Sequence, residues 1–307
     1  MQIEGMLKPP GGPRGPRRLP GAGCRMPTVV AVINQKGGVG KTTSAMNLGA
    51  ALAESGRQVL LIDLDPQGNL SSHGGIDADQ APVTVYDVLI GEGVFRDAVT
   101  KTSEARLYIA PSNLDLSAAE IELSVKPNRE TILRDALEIL KADGEAGLAP
   151  KFDDVLIDCP PSLGLLSLNA MAAADSVVVP LQTEFFALQG MAKLMDVVEH
   201  LRAKLNPRLR FDGVVACKVD KRPRLTQEVL DEIRTHFPGK LYDTVIRPNV
   251  KVAEAPSFGK SVLAYASDSN GAEDYRAFAA EHLKRTKALV SAAAGQASAK
   301  RAAAARH

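Results

Sequence analysis

Val29-Val30-Ala31-Val32-Ile33-Asn34-Gln35-Lys36-Gly37-Gly38-Val39-Gly40-Lys41-Thr42-Thr43 decides the fold of this 307-residue chain. A β-branched apolar run, Val29 to Ile33, feeds a glycine-rich loop, and Lys41-Thr42-Thr43 opens a helical pattern at Ala45, Leu48 and Leu52. Strand, glycine loop and helix in that order make a phosphate-binding loop. Gly37, Gly38 and Gly40 let the backbone curl so that successive N–H groups face a polyphosphate at a helix N-terminus. Lys41 then reaches the β- and γ-phosphates, and the Thr42 hydroxyl ligates Mg²⁺. Where the usual loop has glycine this chain has Gln35, followed by a second lysine, Lys36. A single triphosphate does not need both cations. A site built across two subunits explains the second, with Lys36 of each chain reaching the other's nucleotide.

Two acidic strand ends extend the site. Leu60-Leu61-Ile62-Asp63-Leu64-Asp65-Pro66 places Asp63 and Asp65 on one face by strand alternation. Asp65 is assigned to orienting the attacking water. A carboxylate with an ordinary acidity near pH 4 is a weak base, so hydrolysis is expected to be slow. Asp63 is assigned to the Mg²⁺ shell. Asp154-Val155-Leu156-Ile157-Asp158-Cys159-Pro160-Pro161 reads as a second apolar strand, with Asp158 reaching Mg²⁺ or its waters.

Further apolar runs alternate with helical patterns, as crossover helices between parallel strands require. Strands are expected at 29–34, 59–64, 107–110, 154–158, 176–180, 213–218 and 241–245. Helices are expected at 43–54, 129–141, 165–174, 188–205, 226–236 and 272–290. The fold class is α/β, a doubly wound and mostly parallel sheet of the P-loop NTPase type, with the ligand at the carboxyl ends of the strands. Residues 28–290 form that one domain. Residues 1–27, which include Pro9-Pro10-Gly11-Gly12-Pro13-Arg14, read as a disordered basic arm. Residues 291–307 read as a disordered tail rich in Ala, Lys and Arg. Three cysteines, Cys24, Cys159 and Cys217, form no disulfide or metal pattern, which fits a reducing cytoplasm. No apolar run is long enough to cross a membrane.

The ordered set of motifs resembles the ParA/Soj partition ATPases of the deviant Walker A, MinD/ParA superfamily. The resemblance is carried by Lys36-Gly-Gly-Val-Gly-Lys41-Thr-Thr43, Asp63-Leu-Asp65-Pro-Gln-Gly-Asn69 and Asp158-Cys-Pro-Pro-Ser162, then by 179–190, 244–249 and 254–260. It implies ATP and Mg²⁺ as ligands and an ATP-dependent sandwich homodimer. Lys36 acts across the dimer, Lys41 within the subunit, and Asp65 in hydrolysis. Lys36 to Thr43, Val39 included, cradle the nucleotide, and Thr42, Asp63 and Asp158 serve the metal. Arg247, Pro248 and Asn249 lie in the segment that contacts adenine in the family.

Net charge is +1, yet residues 200–260 hold 13 Lys and Arg against 7 Asp and Glu. The densest stretch is Lys218-Val-Asp-Lys221-Arg222-Pro-Arg224. Such a cluster suits phosphate contacts without base reading. The resemblance implies Arg222 and Lys251 as contacts to double-stranded DNA, with Lys221, Arg224 and Arg247 beside them. The reading is a nucleoid-associated ATPase that moves a DNA cargo with a ParB-like partner. A positioning factor for a protein cargo is the alternative. A membrane-bound MinD-type role requires a bulky apolar face that the alanine-rich tail lacks.

Overall fold

The computed structural model describes residues 27–183, 187–219 and 224–304. Its centre is one eight-stranded sheet: β1 Thr28–Val32, β2 Val59–Asp63, β3 Thr100–Lys101, β4 Leu107–Ala110, β5 Asp154–Asp158, β6 Ser176–Gln182, β7 Arg210–Cys217 and β8 Leu241–Ile246. The spatial order is β3-β4-β2-β5-β1-β6-β7-β8. Every pairing is parallel except β3 with β4.

Both faces of the sheet are covered, so the inner strands are apolar throughout rather than alternating. Ala31, Leu60, Ile62 and Ile157 point to one core with Leu133, Leu166, Met191 and Ile233. Val30, Val32, Leu61 and Leu156 point to the other, with Leu48 and Leu52 of the helix Lys41–Glu54 and Tyr275 and Phe278 of the last helix. Each large apolar side chain fully buried in this way contributes about 1.5–3 kcal/mol.

The long helices fall near their expected places. Between 64 and 130 the chain holds elements too short for a periodic signal: helices Asn69–His73, Val85–Ile90, Phe95–Ala98 and Leu116–Ser124, and the antiparallel edge strand Thr100–Lys101. A second difference lies at the far end. The last helix runs Asn270–Ala304, past residue 290 where a disordered tail is expected. Alanine is the strongest helix former, and the alanine-rich stretch extends the helix without needing an apolar face. The basic arm lies outside the described residues. Among the described residues, no helix is long and apolar enough to cross a membrane.

Candidate nucleotide site

The loop 33–40 leaves the carboxyl end of β1, between β5 and β6, and turns into the helix Lys41–Glu54. Gly40 is the residue before that helix and takes φ 97, with Gly38 at φ 75. Both lie in the left-handed region that side chains disfavour, which is why the loop needs glycine there. The Ser44 N–H donates to the Gly40 carbonyl at 2.8 Å, closing the first turn. Asn34 anchors the entry of the loop, donating from Nδ2 to the Pro180 carbonyl at 2.8 Å and accepting from the Lys36 N–H. Lys41 is buried and donates from Nζ to the Lys36 carbonyl at 3.2 Å. Burial lowers its affinity for a proton, and the charges of Asp158 and Asp65 oppose that. Lys36, Gly37 and Gly38 are exposed at the rim, while Val39 is packed inside and Thr42 and Thr43 are half-buried.

Parallel register sets Asp63 opposite Asp158, and Val32 opposite Asp158 on its other side. The two acidic strand ends are therefore adjacent beside the loop. Asp158 is fully buried, and neither carboxylate oxygen makes a hydrogen bond of normal geometry among the described residues. Burial and the neighbouring charge of Asp63 push its pKa well up, and the nearby Thr42 hydroxyl and Lys41 only partly counter them. An orphaned buried carboxylate next to a phosphate loop fits a magnesium ion, which takes one or two carboxylates and completes its shell with phosphates and water. Among the described residues, no cluster of three or more His, Cys, Asp or Glu could hold a metal without such a ligand.

Asp63 has a different geometry from the one expected of a metal-shell residue. Its Oδ2 accepts from the Ser71 N–H at 2.8 Å and the Ser71 hydroxyl at 2.7 Å, and its Oδ1 accepts from the Asp65 N–H at 3.3 Å. Burial raises its pKa to about 7 against those bonds. Asp63 thus holds the turn that carries Asp65. Ser112 completes the brace: its N–H donates to Ser71 Oγ, and its hydroxyl donates to the Asp65 carbonyl, both at 3.0 Å. Gly68 (φ 61) passes so close that a Cβ would stand 2.7 Å from the Ser112 carbonyl oxygen, which accounts for the glycine in Asp65-Pro-Gln-Gly68. Sequence reasoning missed Ser71 and Ser112, because a lone serine carries no spacing signal. It also missed Glu120, whose Oε1 accepts from the Leu166 N–H at 3.5 Å beyond the Pro160-Pro161 loop.

The adenine and DNA candidates fare unevenly. Arg247 is pinned by Asp274, to which it donates from its backbone N–H (2.9 Å), Nε and Nη2, and by Glu273 at 2.9 Å. That arrangement corrects the expectation of a guanidinium directed at base or phosphate: it staples β8 to the last helix. Asn249 caps the helix Val250–Glu254, accepting from the Lys251 N–H at 2.8 Å, and the exposed Pro248 precedes it. Lys251 is exposed, pairs with Glu254 at 2.9 Å and lies over the Tyr265 ring. Lys221 and Arg222 fall outside the described residues. Arg224 opens the helix Arg224–His236, and its side chain is not described.

A doubly wound parallel sheet with a glycine loop after β1 and a buried aspartate ending the neighbouring strand defines a P-loop nucleotide-binding protein. Comparison with known proteins narrows the class. The AAA domain family matches residues 27–211. The chain is 51% identical over 259 residues to the chromosome partitioning protein ParA of Caulobacter vibrioides, covering 84% of this chain and 95% of that one. It is 43% identical to the sporulation initiation inhibitor protein Soj of Bacillus subtilis, covering 83% and 98%. Among solved structures, a Mycobacterium smegmatis cobyrinic acid a,c-diamide synthase with bound ATP analog and magnesium superposes with a TM-score of 0.73 at 37% identity, covering 85% and 96%. The chain belongs to the ParA/Soj family of partition ATPases.

Proposed function

We propose that the chain binds Mg-ATP in this loop, closes into a dimer over two nucleotides, and in that state holds double-stranded DNA without reading its sequence. A ParB-like partner then triggers hydrolysis and release, so that the cycle segregates a chromosome or plasmid in the cytoplasm, on the nucleoid. The observation that carries the reading is the unsatisfied Asp158 beside Lys41, a buried charge placed where a metal–phosphate complex would complete it.

The residues divide the work. The N–H groups of 37–43 cradle the phosphates, and Lys41 neutralises them. Thr42 and Asp158 would hold Mg²⁺, which would supply positive charge to offset the negative charge that builds up during transfer. Asp65, aimed by Asp63 and Ser112, orients the water. Lys36 sits exposed at the rim, the position from which a side chain would reach a second subunit. DNA contacts are assigned to the exposed Lys251 and, by their charge in the sequence, to the basic residues of 221–224. The names of the Caulobacter and Bacillus relatives, and the ATP analog and magnesium in the solved neighbour, support this assignment.

DNA retention measured with ATP, ADP and no nucleotide across a salt series tests the proposal. Retention with ATP alone, falling steeply with salt, is the expected result. Equal retention in all three nucleotide states would remove the switch. A chain that stays monomeric with a non-hydrolysable ATP analogue would remove the dimer.

A further inference from the structure

β7 leaves the sheet directly beside the phosphate loop. Cys217 Sγ lies 3.7 Å from Ser44 Oγ, and a Cβ on Gly40 would stand 4.0 Å from the Cys217 Cβ. The next residue, Lys218, takes φ 54, a left-handed conformation that is costly for any residue with a Cβ. From there its ammonium crosses to the loop and donates to the Gly38 carbonyl at 2.9 Å, a contact between residues 180 apart in sequence.

The partner carbonyl gives this contact its meaning. Gly38 and Val39 share one planar trans peptide, in which the carbonyl and the N–H point in opposite directions. Whatever fixes the Gly38 oxygen therefore fixes the Val39 N–H. Gly38 has no side chain, and no atom lies within 4 Å of where a Cβ would stand, so packing on Gly38 does not hold the plane. Left to itself, a glycine at positive φ rotates readily. Rotation would turn a carbonyl oxygen, rather than an N–H, toward a bound anion. A charge-assisted hydrogen bond from Lys218 opposes that rotation.

We propose that Lys218 is a positioning residue of the phosphate loop: by holding the Gly38 carbonyl it aims the Val39 N–H at the phosphates of a bound nucleoside di- or triphosphate. The inference rests on the reading of this loop as a nucleotide site and adds to it a cation from β7 that acts through the backbone. It also joins the loop to the strand that leads into the basic segment.

Calorimetric titration of the full-length chain with ADP, a non-hydrolysable ATP analogue and AMP tests it. Lys218 is exposed, so substitution leaves the core intact. Lys218→Met keeps the length and loses the ammonium. It should bind ADP and the ATP analogue about tenfold more weakly and AMP unchanged, because AMP lacks the phosphates that the loop encloses. Lys218→Arg should restore most of the loss. Lys218→Gly relieves the backbone but has no ammonium; it should match the methionine variant in affinity while unfolding at a higher temperature. Wild-type affinity in Lys218→Met or in Lys218→Gly overturns the proposal, and so does an equal loss for AMP and ADP. If the wild type binds none of the three ligands, the nucleotide reading fails with it. If the wild type binds and Lys218→Met is indifferent, this inference alone fails.

Discussion

Asp158 and Asp212 are both buried carboxylates on parallel strands of one sheet, and their surroundings are opposite. Asp212 accepts from the Tyr242 hydroxyl at 2.7 Å and lies 3.3 Å from His282 Nδ1. Arg285 stacks 4.0 Å from the Tyr242 ring centre and pairs with Glu281. Burial works to raise the pKa of Asp212, and the bonds from His282 and Tyr242 more than offset it, leaving the carboxyl below its usual range. Asp158 has no hydrogen-bond partner of normal geometry among the described residues, and its pKa is driven up. A buried ion is tolerable when paired and costly when not. The β7–β8 edge, where the last helix docks, is finished by the chain itself. The centre of the sheet is left for a ligand to finish.

The sharpest way to break this contrast is to neutralise each group in turn. Asp158→Asn should lower ATP hydrolysis on the order of a hundredfold, as loss of a preorganised charge-stabilising group does. The ligand-free protein should keep its stability or gain about 1 kcal/mol in urea unfolding, because an unpartnered buried charge is gone. A marked loss of stability would show that Asp158 has a structural partner after all. Asp212→Ala should do the reverse. It strands His282 and Tyr242, costing about 3 to 5 kcal/mol, while nucleotide affinity stays unchanged.

The same contrast explains what the sequence could reveal. Lys41, Asp65 and Asp158 were legible because strand ends and a glycine loop fix their relative positions through short, regular spacings. The order of long helices and strands was legible for the same reason, since each carries its own apolar period. Arg247 was not. Its side chain belongs to Asp274, 27 residues later, and nothing local distinguishes a stapling arginine from one awaiting DNA. Asp63 was half legible: its place beside Asp158 follows from register, but its capture by Ser71 depends on a five-residue helix, Asn69–His73, too short to have a period. Thr84 and Asp87 did carry a local signal for the helix Val85–Ile90, since the Asp87 carboxylate accepts from the Thr84 N–H at 2.7 Å.

His73 supplies an intermediate case, an ionisable group buried near the site but kept neutral. Its Nε2 has no hydrogen-bond partner among the described residues. Burial lowers its pKa to about 4, although the Lys260 backbone opposes that. The unfolded value is near 6.5, so the folded state binds the proton less readily. The stabilisation is complete above about pH 6.5 and is lost as pH falls toward 4, to at most about 3 kcal/mol. Urea unfolding at pH 7 and pH 4.5 should therefore show a steeper acid loss in the wild type than in His73→Gln. Parallel pH profiles would mean that His73 is solvated in the folded protein.

The smallest effect calibrates the rest. Arg276 and Glu54 make a two-pronged pair, at 2.6 and 2.8 Å, between the last helix and the helix that follows the phosphate loop. By geometry it is a better ion pair than His282 with Asp212. Its side chains are 36% and 48% exposed, however, so water and salt screen them. Arg276→Ala should cost only about 0.5 kcal/mol, less still at high salt, with hydrolysis unaffected. If urea unfolding showed a loss as large as that of Asp212→Ala, bond geometry rather than burial would set the energetic weight of charges here. The orphaned state of Asp158 would then say little about what the site is built to hold.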